Sequence, residues 1–426
     1  MNSRIISSYC KRTLPSARGA IPRLFGVTVF DQGIVSVSNL LLTVIAARVA
    51  GIEGLGRLAV VATVIFVSLS MARTLIMEPM LLVPMDRGRR VAPHALIAAC
   101  FGFSITSFGV VSVVTTDGMA AAYSAGLTIL AITQDFTRYA GFREATSMPA
   151  LRGDATVLMV TLMGGLLASV RAQGQANAIL SVWVAALTCG VLVNISHLQW
   201  RRSRLHDITW RRDLSRYSRF LAPDIVAFLA GTHIILLILA STGGESEAAT
   251  ARAALTLLSP MVLLFSAVSV TLTPRWVGLI GDARPRLLRE VWKVAFVIGI
   301  LGVLLTSILV LTTSWLPQLI FGPEVQLHPL GLGVAGLAVI IFGVSSPFLI
   351  LAKVDNALSP VVVIRSISAA AALLLMSTVT GLQVANGYFF LIAAQALFSL
   401  LALLQIARAT SERRRTVEGS AGTLLQ

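Results

Sequence analysis

The residues in this chain that could do chemistry are charged and amide groups set inside apolar stretches. Asp31, Arg73, Glu78, Asp135, Arg138, Asp224 and Arg365 each lie within or at the edge of a hydrophobic run, and Gln32, Asn39 and Gln134 share those surroundings. A charge at the centre of a bilayer costs about 3 kcal/mol on insertion scales, so such residues face a bundle interior or a wet cavity. Asp31 stands seven residues after the start of its run at 24, or roughly 10 Å deep at a rise of 1.5 Å per residue. Asp135 and Arg138, three apart, share one helix face. The gathering of these ionisable residues in the cytosolic half of the membrane suits a polar vestibule that receives a charged headgroup. A buried carboxylate suits a proton or cation, and Asp31, Asp224 and His233 are the candidates for ion coupling. Residues near span ends also have a simpler reading, as pairs between helices or chains that snorkel to the interface.

Bond-making chemistry finds no support. The chain has no phosphate-cradling glycine loop, no nucleophile elbow and no metal-ligand spacing, so neither an enzyme, a metal site nor a cofactor is expected. His94, His197, His206, His233 and His328 are scattered, and only His233 lies deep in an apolar run. The three cysteines, Cys10, Cys100 and Cys189, form no close pair and are expected to be free thiols.

The elements that must position these groups are membrane helices. Of 426 residues, 56% are hydrophobic and 12% charged, and the mean hydropathy is +0.84; a soluble chain of this size needs more charge to cover its surface. Apolar runs of roughly 20 residues recur, the length that crosses about 30 Å of hydrocarbon. Backbone groups in lipid must be satisfied within the segment, which makes the runs helices, and the ten-residue alternation of a barrel is missing. Twelve spans are expected, at about 24–49, 57–83, 93–115, 118–138, 154–171, 176–199, 219–241, 253–275, 292–314, 329–352, 358–380 and 385–408.

Counting basic residues orients them. With the N-terminus in the cytosol, 28 of the 34 Lys and Arg fall on the cytosolic side. Arg48, Arg57, Arg171 and Arg252 stand at outer span ends, and Arg73 and Arg365 inside spans. The basic first 23 residues read as a cytosolic arm and not a cleaved signal peptide. The net charge of +15 is explained by topology and attraction to anionic lipid, without nucleic acid as a partner.

The basic loop 200–218 splits the spans into two sets of six. Arg57 and Pro79 in span two match Arg252 and Pro274 in span eight at one offset of 195 residues. The expected plan is an N-terminal arm (1–23), a six-helix N-lobe (24–199), a linker (200–218), a six-helix C-lobe (219–408) and a cytosolic tail (409–426). Six spans per half make the repeats parallel, two lobes around a central cavity. Pro260, Pro347 and Pro360 are the candidate bending points.

The stretch "DQGIVSVSNLLLTVIAARVAGIEGLGRLAVV", followed by "RTLIMEPMLL", resembles the start of bacterial polysaccharide transporters, the O-antigen-type flippases of the multidrug/oligosaccharidyl-lipid/polysaccharide exporter superfamily. "TQDFTRYAGF", "LLSPMVLLFSAVSVTLTPR" and "WLPQLIFGPE" resemble later elements of the same family, while "GIEGLGR" and "FREATSMPALRGD" depart from its pattern. The resemblance implies alternating access in the inner membrane, flipping a polyprenyl-diphosphate-linked oligosaccharide from the cytosolic to the outer leaflet for surface polysaccharide synthesis. It implies membrane lipids, a polysaccharide polymerase and export machinery as partners, and it carries the family's charged positions onto Asp31, Arg73 and Arg138. The substrate cavity is then expected to be lined by Asp31, Gln32, Asn39, Arg73, Gln134, Asp135, Arg138 and Arg365. Two rivals remain at this point. A cation-coupled drug antiporter of the same superfamily would want carboxylates without basic neighbours. A membrane polymerase or ligase would want an outer catalytic loop, and the 241–252 segment, "STGGESEAATAR", offers two glutamates and no helper histidine.

Overall fold

The structure is a computed structural model that describes residues 20–78, 93–115, 117–143, 148–171, 175–195, 222–229, 233–262, 284–354, 359–378 and 389–405, together with Phe265 and Trp276. Among the described residues every regular element is helical. In chain order these are α1 (Ala20–Ala72), a π-turn (Arg73–Met77), α2 (Pro93–Thr115), α3 (Gly118–Arg143), α4 (Met148–Arg171), α5 (Ala176–Ile195), α6 (Ile235–Leu257), α7 (Arg284–Leu311), α8 (Leu316–Phe321), α9 (Pro329–Val354) and α10 (Ser359–Thr378). The apolar helix α11 (Phe389–Gln405) follows, and residues 222–229 form a short helical stretch ahead of α6. The expected linker 200–218 and the arm and tail beyond the first and last helices lie outside the described residues.

Two elements are hairpins within one helical run. The first expected span and the second as far as Ala72 both lie in α1, which reverses at Gly51 (φ 68°, ψ −165°), and the seventh and eighth meet in α6 at Gly244 (φ 82°, ψ 177°). Positive φ with extended ψ is open to glycine and strained for any other residue. The same device recurs at an offset of 193 residues, two short of the 195 that relates Arg57 to Arg252 and Pro79 to Pro274.

Helix boundaries differ from expectation where charge masked the pattern. α4 begins at Met148 and not at 154, α7 at Arg284 and not at 292, and α3 runs on to Arg143, five residues past Arg138. Polar residues in the first or last turn of a long helix lower the local hydropathy without interrupting the backbone ladder. Pro347 lies inside α9.

The apolar surface is arranged for lipid. Large side chains such as Ile105, Val113, Met163, Val170, Phe296, Leu311 and Ile367 are exposed on the outer faces of helices, and α2, α4, α5, α7 and α9 contain spans long and apolar enough to cross a membrane. The inner faces close on small residues, with Ala59 and Val60 of α1 packed on Ala240 and Ala248 of α6. Such residues let helix backbones approach where no hydrophobic drive separates helix from lipid. Buried hydroxyls return to their own helix, as Thr43 does to the Asn39 carbonyl at 2.7 Å and Thr63 to that of Ala59 at 2.7 Å, which keeps these donors satisfied away from water. The chain is an all-α polytopic membrane protein.

Candidate functional site

Four helical faces converge on one charged cluster. The first limb of α1 brings Asp31, Ser38, Asn39 and Leu42, a set spaced by seven, one and three residues and so on one side of the helix. The second limb brings Ile65, Phe66 and Leu69, and ends in the π-turn headed by Arg73, whose carbonyl accepts the Glu78 N–H. α3 supplies Gln134, Asp135 and Arg138; α4 supplies Asp154, Val157 and Thr161; α5 closes the far wall with Trp183 and Leu187. Together, except for Asp31, they line a cavity of about 110 Å³, room for a few waters or a small ion and too little for a sugar chain.

Arg138 is the hub. Its Nη2 donates to Asp31 Oδ2 at 2.7 Å, its Nη1 to Asp135 Oδ1 at 3.2 Å, and its Nε lies 3.0 Å from Asp154 Oδ2. Arg73 forks onto the other face of Asp135, Nε to Oδ2 at 2.5 Å and Nη2 to Oδ1 at 2.8 Å. Gln134 Nε2 donates to the remaining oxygen of Asp154 at 3.0 Å. Behind it Asn194 Nδ2 reaches Thr137 Oγ1 at 3.2 Å. Asp31, Asp135, Arg138 and Asp154 are all buried, whereas Arg73 keeps 35% of its side chain open.

Three carboxylates thus face two guanidiniums. With all five ionised the cluster carries one net negative charge, inside a protein that is strongly positive overall. Among the described residues, Asp31 Oδ1 and Asp154 Oδ2 are buried without a hydrogen-bond partner, the Arg138 Nε beside Asp154 being close but not aligned to donate. A cluster in this balance is one positive charge short, and a proton or a small cation at these two oxygens would neutralise it.

The second half holds a simpler arrangement. Arg365 of α10 donates through Nη1 to Asp224 Oδ1 at 2.7 Å and through Nε to Ser399 Oγ of α11 at 3.2 Å. Its guanidinium carbon stands 5.9 Å from the centre of the Phe228 ring, and Gln395 Nε2 donates to the Ala227 carbonyl at 3.1 Å. One carboxylate meets one guanidinium, and this pair is neutral.

The expected site residues therefore divide into groups. Asp31, Asn39, Arg73, Gln134, Asp135 and Arg138 come together; Arg365 and Asp224 form their own pair and do not line the described cavity; Gln32 is half-buried beside Asp31 and off the cavity wall; His233 is half-buried in a helical turn ahead of α6, apart from both clusters. Of the two simpler alternatives for residues near span ends, pairing between helices and snorkelling to the interface, Asp135, Arg138 and Asp224 take the first: each is at most 6% exposed and ion-paired to another helical segment. Asp154 is the residue the sequence reading missed. Two signals mark it: Pro149 stands at a helix N-terminus, and Asp154, Val157 and Thr161 repeat at three and four residues, one face of a helix already under way.

No protein-family model matches the chain, and no curated protein sequence matches it. Its fold is nevertheless found among solved structures. It resembles the lipid II flippase MurJ in an inward closed conformation (TM-score 0.63, 10% identity, 90% of this chain and 87% of that one). It also resembles a multidrug resistance MATE family transporter of the MOP superfamily in an inward-facing conformation (TM-score 0.60, 12% identity, 92% and 99%). A third likeness is to a mutant of the Vibrio cholerae MATE transporter VcmN (TM-score 0.57, 14% identity, 95% and 98%). The likeness is one of fold, and these three neighbours are transporters.

Proposed function

We propose that this transporter flips a polyprenyl-diphosphate-linked oligosaccharide from the cytosolic to the outer leaflet of the inner membrane, with both termini in the cytosol and the two sets of six helices acting as lobes. The observation that carries this reading is the mixed wall of the N-terminal cavity. A half-open guanidinium, Arg73, stands with Ser38, Asn39 and Thr161 and the indole of Trp183. Arginine matches phosphate, amides and hydroxyls match sugar hydroxyls, and an indole face packs on a sugar ring. The cavity is closed to a volume below that of the substrate, so loading requires the helices to part. The lipid tail stays in the bilayer meanwhile. The basic residues counted on the cytosolic side attract the diphosphate before it enters.

One observation favours the rival reading, a cation-coupled drug antiporter. The cavity's charge balance is negative, and Arg138 is ringed by three carboxylates. In the flippase reading the same imbalance has a use: Asp31 and Asp154 take up the coupling proton or cation, while Arg73 is the guanidinium left to meet substrate. The deciding experiment measures leaflet sidedness of lipid-linked oligosaccharide in intact spheroplasts with an impermeant glycan-cleaving enzyme. Repeat units trapped inside on deletion of the gene, and released by the wild type but not by Arg73→Ala, support flipping. Unchanged outward presentation on deletion overturns it and returns the search to drug efflux.

A further inference from the structure

At the face of the bundle that the Lys/Arg count assigns to the outside, the two halves of the chain exchange caps. Arg48 ends the first limb of α1. Its Nε donates to the Ile320 carbonyl at 3.2 Å, and its Nη2 to the carbonyls of Gln318, at 3.4 Å, and Leu319. These belong to the last turn of α8, where the Gln318 carbonyl also accepts the Gly322 N–H at 3.0 Å and the later carbonyls have no partner in the helix ladder. A cation beside them also meets the negative end of the helix dipole. In the other direction, Glu324 Oε2 accepts the N–H of Ile52 at 3.2 Å, the first donor of the returning limb after Gly51 reverses the chain. A Cβ at Gly51 would stand 3.3 Å from that same oxygen. An arginine of the first half thus caps a helix C-terminus of the second, and a glutamate of the second half caps a helix start of the first.

Beneath these bonds Phe321, Val325 and Leu327 are buried, and Phe321 and Val325 line, with Arg48, Gly51, Ile52 and Glu324 themselves, a cavity of about 320 Å³ that the clasp closes over. A second tie lies alongside. Arg57 Nη1 meets Asp117 Oδ2 at 2.9 Å, and its Nε stands 3.7 Å from Glu245 Oε1, in the turn just past Gly244. Burial pushes the Glu245 carboxyl above the usual range, against the downward pull of Arg57. Gly56 presses on the Glu245 backbone so closely that a Cβ there would lie 2.0 Å from its carbonyl oxygen. The first tie is made by exposed side chains and the second by groups about 28% open, so both are breakable at modest cost, as a gate requires.

We propose that Arg48 and Glu324 form the outer clasp of this transporter: their exchanged caps hold the outer face shut, and their release is the step that opens the cavity outward. The inference rests on alternating access and not on the substrate, and its test is read without substrate.

The test uses the full chain with Cys10, Cys100 and Cys189 replaced by alanine and a single reporter, Val325→Cys, at a position 2% exposed behind the clasp. An impermeant maleimide is applied to intact cells. Arg48→Ala/Glu324→Ala removes two charge-assisted sets of hydrogen bonds and is expected to speed labelling on the order of ten-fold. Arg48→Lys/Glu324→Gln, which keeps a cation for the carbonyls and an acceptor for the amide, is expected to label near the parent rate. Ile52→Pro removes the N–H that Glu324 accepts, along with part of a side chain packed on the core, at a helix start that tolerates proline, and is expected to raise the rate a few-fold over parent and over Ile52→Val, which trims the side chain and keeps the N–H. It keeps the test open should the double alanine variant fail to fold. Parent-rate labelling in both the alanine and proline variants overturns the clasp. So does equal acceleration in the alanine and conservative pairs, which assigns the closure to packing and not to the caps. A failed sidedness assay with a responsive clasp would sink the substrate and leave the gate standing.

Discussion

Charge balance in the N-terminal cluster makes an unequal prediction for two of its members. Arg138→Gln removes the guanidinium that serves three carboxylates at 2.7, 3.2 and 3.0 Å and moves the cluster from one net negative charge to two. Breaking a buried pair by deleting one partner typically costs about 3–5 kcal/mol, and this site is 6% exposed. Asp154→Asn removes the surplus charge instead. Asparagine fills the same volume and keeps an oxygen for Gln134 Nε2, which sits 3.0 Å from Oδ1 of the aspartate. The relief is bounded by the cost of one charge in the bilayer, about 3 kcal/mol, and falls toward zero when a proton or cation already neutralises the site. The two variants should therefore differ by roughly 3–8 kcal/mol, with Asp154→Asn at or above wild type. Thermal unfolding of detergent-purified protein, followed as the fraction eluting monodisperse after heating, measures this directly. The double variant, which restores the net charge to minus one, should recover part of the Arg138→Gln loss, and the cycle isolates that coupling. If Arg138→Gln lies within about 1 kcal/mol of wild type, or Asp154→Asn is the less stable of the two, the buried network does not hold the fold in the way its distances imply.

Three further outcomes follow from the same geometry. Arg365→Ala leaves Asp224 buried without its guanidinium and should lower stability by about 3 kcal/mol or more; Arg365→Met/Asp224→Leu removes both charges and should recover most of it in the same melt. Gly244→Ala places a Cβ at φ 82° and should cost about 1–3 kcal/mol from backbone strain alone, since no neighbour lies within 4 Å of it. Trp183→Ala should cost more stability than Trp183→Phe, while both reduce transport of lipid-linked glycan in the sidedness assay; full transport by Trp183→Ala would remove the indole from the substrate path.

Much of the fold was legible because lipid permits few solutions. A run of twenty apolar residues has to be a helix, and basic residues have to gather on one side, so spans such as 93–115 and 329–352 start where the sequence puts them. What was hard to see is charge inside those helices. Arg138 reads as a span end because polarity rises there, yet α3 continues to Arg143 and carries Arg138 into the interior. Asp154 reads as the edge of a basic loop for the same reason. Hydropathy averages over faces; a helix that turns one polar face to a cluster and the rest to apolar neighbours loses its signal where the site lies. Partner choice was also beyond reach. Asp31 and Arg138 are 107 residues apart and Arg365 and Asp224 141 apart, and spacing along the chain says nothing about either pairing.

The two halves handle buried charge in different ways, and the difference bears on how the transport proposed above would be driven. In the second half Arg365 supplies Asp224 with a cation that cannot leave, since a guanidinium does not lose its proton in proteins. That pair is fixed in charge whatever the cell does. In the first half, among the described residues, Arg138 and Arg73 together fall one charge short of Asp31, Asp135 and Asp154, and the shortfall sits at two buried carboxylate oxygens without hydrogen-bond partners there. Of the two clusters, only this one lets a mobile proton or cation change the balance. A coupling ion that binds one conformation more tightly shifts the equilibrium by that difference and no more. The consequence is specific: Asp31→Asn and Asp154→Asn should each make conformational exchange, read by Val325→Cys labelling, insensitive to external pH and sodium, while Arg365→Met/Asp224→Leu should leave that sensitivity intact. Sensitivity that survives both asparagine variants and vanishes in the second-half pair would place the coupling ion in the wrong half of the molecule and sink this account of the charge deficit.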